Sequence, residues 1–355
     1  MLMRKPFLTV FHFTTSFAAS LIKPTPPAFR ISKITLDLET TLSSTRTLPV
    51  VIWHGLGDSY KNPGITRLAQ AVNERYPGTS VYLIHLADRA NDDRKATWFG
   101  AANTEVESVC RQLETIEELE VGFDAIGFSQ GGPFMRAYVE RCNLPRVRNL
   151  ITLGAPHMGI SEYPSCRGIL DIECHIIKRL INTGSVYSTY AQEHIIPAQY
   201  FRDQADLAPY FQHNDFLRDI NNERANDRQP GQDPGDLSAP ADPSDSPRNQ
   251  TYKQNMLLLE NFVMFNFSEE ALVRPAISAY FGVTNVSTSS KEAIPLVQLP
   301  IYEEDYIGLK QLDRSGRISY GTCHGPHMMI DDQCWDNVMD WVGDGYQNRK
   351  LVIQT

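Results

Sequence analysis

The stretch at residues 125–134, AIGFSQGGPF, constrains this chain more than any other. The mostly apolar run 123–128 reads as a buried strand, and 132–141 reads as a helix, so Ser129 falls on the turn between them. Gly127 and Gly131 flank it at Gly-x-Ser-x-Gly spacing, with Gly132 next in line. A strand-turn-helix of this kind forces its serine into strained backbone and needs small neighbours to avoid clashes, and it lifts the hydroxyl above the sheet. The peptide N–H of Gln130 then sits at a helix start, where negative charge is favoured. A glycine-rich turn without chemical duty has a similar composition; the strand before and the helix after favour a nucleophile.

The surrounding pattern agrees. Residues 49–53 form a short apolar run ended by His54-Gly55-Leu56-Gly57-Asp58, read as a strand and a tight turn. Ile65, Leu68, Ala69 and Val72 have helical spacing, as do Val106, Val109, Leu113 and Ile116. Residues 81–84 and 150–153 read as further strands. Strands alternating with helices predict a parallel sheet covered on both faces. The alternation stops after Gly154, and residues of roughly 157–250 read as a mainly helical inserted cap. Within it, 225–248 is dense in Pro, Asp, Gly and Ser and is expected to be a disordered surface loop. The sheet resumes at 262–267, a late strand lies near 318–320, and a closing helix runs from about 334 to 342. The fold class is α/β: an α/β-hydrolase fold with a mostly parallel sheet flanked by helices and a helical cap, within residues 48–345. The 355 residues, 42% of them hydrophobic, suffice for one such domain.

A serine nucleophile needs a base and an acid that orients the base, in this fold in the chain order serine, acid, histidine. His324 and His327 lie in a loop after the late strand, where the base belongs. Glu269 and Glu270 end the strand 262–267, and either reaches the top of the sheet; Asp305 and Asp313 are the next candidates. In the expected chemistry His327 takes the serine proton while a carboxylate fixes the imidazole tautomer. Two N–H groups should hold the developing oxyanion. Gln130 offers one, and the glycine-flanked Leu56 the other. No cofactor is expected. The absence of any Cys-x-x-Cys pair argues against a structural zinc site, and a net charge of −9 without a basic patch argues against nucleic acid as a partner.

Residues 1–24 read as a signal peptide, with a basic Met1-Leu2-Met3-Arg4-Lys5 start and an acid-free, mostly apolar stretch after it. No other stretch is long enough to span a membrane. Six cysteines (Cys110, Cys142, Cys166, Cys174, Cys323 and Cys334) and three Asn-x-Ser/Thr sequons, at Asn249, Asn266 and Asn285, agree with a secretory route.

Residues 49–59 (PVVIWHGLGDS), 125–132 (AIGFSQGG), 262–264 (FVM) and 307–310 (IGLK) resemble signatures of the palmitoyl-protein thioesterase family, and the likeness covers nearly everything from 49 to 341. The resemblance implies a lumenal, often lysosomal, α/β-hydrolase that cleaves thioesters between long fatty acyl chains and protein cysteines. Its partners would be S-acylated proteins or peptides and fatty acyl thioesters, met in a lysosome or vacuole or outside the cell. By the same resemblance Ser129 matches the nucleophile, His327 the base, and Leu56 and Gln130 the oxyanion donors. The family's aspartate falls at Glu270, a departure that adds one methylene. Cys110 with Cys142 and Cys166 with Cys174 match family disulfides, and Asn249 matches a glycosylated position. Cys323 and Cys334 have no family counterpart, and their pairing is an expectation of this sequence alone.

Overall fold

The computed structural model describes residues 30–34, 47–163, 171–224, 227, 247–286, 292–343 and 345–346. The expected signal peptide at 1–24 lies outside them, as do Cys166 and all of the expected 225–248 loop except Asp227, Pro247 and Arg248.

Nine strands occur among the described residues: β1 (Arg30–Ile34), β2 (Val50–Trp53), β3 (Val81–His85), β4 (Phe123–Phe128), β5 (Val147–Leu153), β6 (Asn261–Glu269), β7 (Val283–Thr284), β8 (Ala293–Ile294) and β9 (Ile318–Pro326). Seven of them form one sheet in the order β1-β3-β2-β4-β5-β6-β9; β7 and β8 make a separate antiparallel ribbon. Every pairing from β3 to β9 is parallel, and only β1 runs antiparallel, against β3.

Every residue of β2, β3, β4 and β5 is buried, as a parallel sheet covered on both faces demands. The period of two still shows in which core each residue enters. Val51, Trp53, Ala125, Leu150, Phe262 and Met264 belong to one apolar cluster. Their neighbours Val50, Ile52, Ile126, Ile151, Val263 and Phe265 belong to the other, on the opposite face. Helix α1 (Pro63–Arg75) feeds Ile65, Ala69 and Val72 into the second cluster. After α2 (Ala90–Ala96) comes α3 (Ala102–Glu114), which feeds Val106, Val109 and Leu113 into the first. Helix α4 (Gly131–Arg141), directly after β4, is buried along nearly its whole length.

The chain between 171 and 224 is built of short helices with no strand of its own, beginning with α5 (Ile172–Asn182). Among the described residues no helix is long and apolar enough to cross a membrane. The late strand is longer than the sequence indicates. Hydrogen bonding to β6 carries β9 on to Pro326, so His327 leaves the end of a strand directly. The antiparallel β1 was not legible at all. Its RISKI sequence is short and half polar, and it gains its place by pairing with β3. A disulfide joins Cys323 of β9 to Cys334 of the closing helix Asp332–Met339, and another joins Cys110 to Cys142. Cys174 is disulfide-bonded too, and its expected partner, Cys166, lies outside the described residues.

Candidate active site

Ser129 has φ +49°, a backbone conformation that a residue with a side chain adopts only under constraint. The constraint is close packing. A Cβ on Gly127 would lie 2.6 Å from Gly132 Cα, one on Gly131 would lie 2.4 Å from the Trp53 carbonyl oxygen, and one on Gly132 would lie 2.3 Å from Ala155 Cβ. All three glycines are therefore required for α4 to start hard against the ends of β2 and β5. The Ser129 N–H donates to the Leu153 carbonyl (2.8 Å), and its carbonyl accepts from Gly132 N–H (2.9 Å), which fixes the turn at both sides.

His327 and Ser129 are 198 residues apart in sequence, yet His327 Nε2 lies 3.0 Å from Ser129 Oγ. On the other edge of the ring, Nδ1 lies 2.6 Å from Glu270 Oε2. Glu270 is held in turn, because its Oε1 accepts the peptide N–H groups of Leu272 (2.8 Å) and Val273 (2.9 Å). Burial pushes the Glu270 carboxyl up, but the hydrogen bond and charge of His327, with the two peptide N–H groups, outweigh it and leave the group below the ordinary glutamate range. The sign follows from linkage: this carboxylate stabilises the fold above the unfolded glutamate pKa, and the contribution is lost as pH falls through the lower folded value. Its charge thus persists in mildly acidic surroundings.

The other candidates sit elsewhere. Glu269 and His324 are exposed. Asp305 is engaged with Lys253 Nζ (2.8 Å), Gln311 Nε2 (2.8 Å) and Lys310 N–H (2.9 Å), and Asp313 accepts from Tyr302 Oη (2.5 Å). Asn249 is exposed and caps a helix start through Thr251 N–H (3.0 Å), whereas Asn266 and Asn285 are partly buried.

Leu56 and Gln130 flank Ser129 from the two loops expected. Among the described residues, neither peptide N–H has a hydrogen-bond partner within the protein. The Gln130 side chain is clamped: its Nε2 donates to Thr97 O (3.1 Å) and its Oε1 accepts from Tyr200 Oη (3.0 Å). Thr97 also ties down the Leu56 loop, its Oγ1 accepting Gly57 N–H at 2.8 Å. A cavity of about 860 Å³ opens beside Ser129 and His327, with Leu56, Ile65, Trp98, Ile160, Tyr200 and Val273 among its walls. A serine hydroxyl beside an oriented imidazole, two free N–H groups and a cavity with apolar walls together suit acyl transfer from a hydrophobic acyl group.

Sequence reasoning passed over Thr97, Tyr200 and the buried pair His54 and Asp93 behind the Leu56 loop. Asp93 stands in the run Asn91-Asp92-Asp93-Arg94, which reads as a solvated helix face, yet it is fully buried.

Comparison with known proteins gives a consistent picture. The family model described as palmitoyl protein thioesterase matches residues 49–327. Palmitoyl-protein thioesterase 1 of Caenorhabditis elegans is 33% identical over 289 residues, covering 81% of this chain and 89% of that one. A palmitoyl-protein thioesterase-dolichyl pyrophosphate phosphatase fusion of Schizosaccharomyces pombe is 31% identical, over 85% of this chain and 45% of the fusion. The lysosomal thioesterase PPT2 of Rattus norvegicus is 26% identical, over 80% and 85%.

Proposed function

Because this chain belongs to the palmitoyl protein thioesterase family and is a palmitoyl thioester hydrolase, we infer that Ser129, His327 and Glu270 carry the reaction, with Leu56 and Gln130 as oxyanion donors. The observation that supports this most is the unbroken chain Ser129 Oγ, His327, Glu270, at 3.0 and 2.6 Å, opening on the cavity. Ser129 Oγ attacks the thioester carbonyl carbon as its proton passes to His327 Nε2. The carbonyl oxygen becomes an oxyanion facing the Leu56 and Gln130 N–H groups. The C–S bond then breaks, and the proton on His327 passes to the departing sulfur. Water, deprotonated by the same imidazole, attacks the acyl-serine; the ester C–O bond breaks as the imidazolium returns that proton to Ser129 Oγ, releasing the fatty acid and the free serine. Glu270 keeps Nδ1 protonated so that Nε2 faces the serine as an acceptor.

The natural substrates in this reading are S-acylated proteins in a lumenal, lysosome-like compartment. The likeness to a lysosomal thioesterase and the two disulfides Cys110–Cys142 and Cys323–Cys334 support that placement. We read the described residues 157–163 and 171–224 as part of an insertion that helps to roof the acyl cavity, since Ile160 and Tyr200 line it.

A lipase or carboxylesterase working on oxygen esters would use the same groups, so the test compares leaving atoms. An S-palmitoyl peptide and its O-palmitoyl serine analogue should differ in kcat/KM by about tenfold or more in favour of the thioester. Equal turnover, or preference for the oxygen ester, would overturn the thioesterase assignment of these residues.

A further inference from the structure

Directly behind the oxyanion loop, the buried His54 ring faces an acceptor on each edge. Its Nδ1 is hydrogen-bonded to the Gly55 carbonyl oxygen at 3.2 Å, and its Nε2 lies 3.1 Å from Asp93 Oδ2, an ion-pair contact out of line for a hydrogen bond. Both side chains are essentially inaccessible to solvent, at 1% and 0% exposure. With Nδ1–H donated to the Gly55 carbonyl, a neutral ring would leave the Nε2 lone pair buried 3.1 Å from a carboxylate oxygen, whereas a doubly protonated ring sets a positive charge against that carboxylate. Asp93 is itself anchored, Oδ1 accepting Leu86 N–H (2.6 Å) and Oδ2 accepting Tyr60 N–H (2.9 Å).

The Gly55 carbonyl belongs to the same peptide group as the Leu56 N–H. That carbonyl also accepts Asp58 N–H at 3.3 Å, so two donors pin its direction. In a planar trans peptide the N–H points away from the carbonyl, so fixing one fixes the other. We propose that His54 is a positioning residue: its doubly protonated ring, paired with Asp93, holds the Gly55–Leu56 peptide with its N–H turned toward the oxyanion. The proposal rests on Leu56 N–H being an oxyanion donor.

The groups around the ring set its response to pH. Burial pulls the His54 pKa down, but Asp93, the Gly55 carbonyl and Asp58 outweigh it and leave the imidazole above its ordinary value of 6.5. His85, on the β3 side, opposes a charge on His54 and is itself shifted down, chiefly by burial. Glu105 of α3 is pushed well up by burial and by Asp93, so burial and charge both work against a second carboxylate charge there. The stabilising charge on His54 is therefore fully present below the ordinary histidine pKa and is lost as pH rises through the higher folded value. Turnover should fall on that alkaline side.

Three measurements decide the matter. Nitrogen-15 NMR of the histidine side chains should show two protons on the His54 ring at pH 6. In His54→Gln, kcat should fall by about 10- to 100-fold, a part of what loss of a whole donor costs, with KM nearly unchanged and the alkaline limb of the profile gone. Replacing Leu56 by its α-hydroxy analogue, which turns the peptide N–H into an ester oxygen, should slow turnover by about 10²–10³-fold. A slow Leu56 ester with an unaffected His54→Gln enzyme overturns the positioning role and leaves the oxyanion assignment standing. An unaffected Leu56 ester overturns both. Should His54→Gln fail to fold, the NMR decides alone, and a single proton on the ring at pH 6 refutes the proposal.

Discussion

Ser129→Ala is expected to remove palmitoyl thioester turnover almost completely while leaving the fold intact. The hydroxyl is the only atom lost, and it makes no contact that the turn needs: the turn is held by the Ser129 N–H and carbonyl and by the tight packing of Gly127, Gly131 and Gly132. Alanine keeps the same Cβ, so the strain at φ +49° is unchanged. Loss of a serine nucleophile in a well-studied hydrolase costs on the order of 10⁶ in kcat, leaving only what oriented donors and binding achieve. Release of palmitate from an S-acyl peptide, with circular dichroism and thermal melting as controls, checks this. A folded Ser129→Ala protein with near-normal turnover would take Ser129 out of the mechanism.

The second large effect separates two adjacent glutamates. Glu270→Gln should depress kcat by about 10⁴-fold, because the amide can present an N–H to Nδ1 and favour the wrong tautomer. Glu269→Gln should change it by no more than a few-fold, since Glu269 is exposed and ends the strand across from Pro326. Relative to the aspartate of the family pattern, Glu270 carries one extra methylene. The structure accommodates it by seating Oε1 on the Leu272 and Val273 peptide N–H groups, so that Oε2 meets the imidazole at 2.6 Å. The matched pair is assayed near neutral pH on the same thioester. If Glu269→Gln is the crippled enzyme, the acid has been assigned one residue too far.

Why that choice needed a structure, or a resemblance, is visible in β6. Alternation places Phe265 and Phe267 in the core and Asn266 away from it, but the pairing with β9 slips between Phe267 and Glu269. Past a slip of register, a period of two says nothing about which neighbour points inward. The central strands were legible because burial on both faces leaves mostly apolar runs, and the serine turn because its glycines stand between such a strand and a helix. The closure of Ser129 on His327 was not legible from spacing, since 198 residues separate them and only the neighbouring ends of β4, β5, β6 and β9 bring them together. Asp93 was no more legible than β1. Its charge and its polar and charged neighbours of both signs mark a solvated face, and only the packing of α2 against the ends of β2 and β3 buries it beside His54.

The central claim is an acyl group carried on Ser129, and rapid-quench mass spectrometry tests it most directly. Enzyme mixed with an S-palmitoyl peptide, stopped in acid within the first turnovers and digested, should yield the peptide containing Ser129 with palmitate attached as an ester; Ser129→Ala should yield none. Palmitate found instead on another side chain of the wild-type enzyme, with the Ser129 peptide unmodified, would contradict the account.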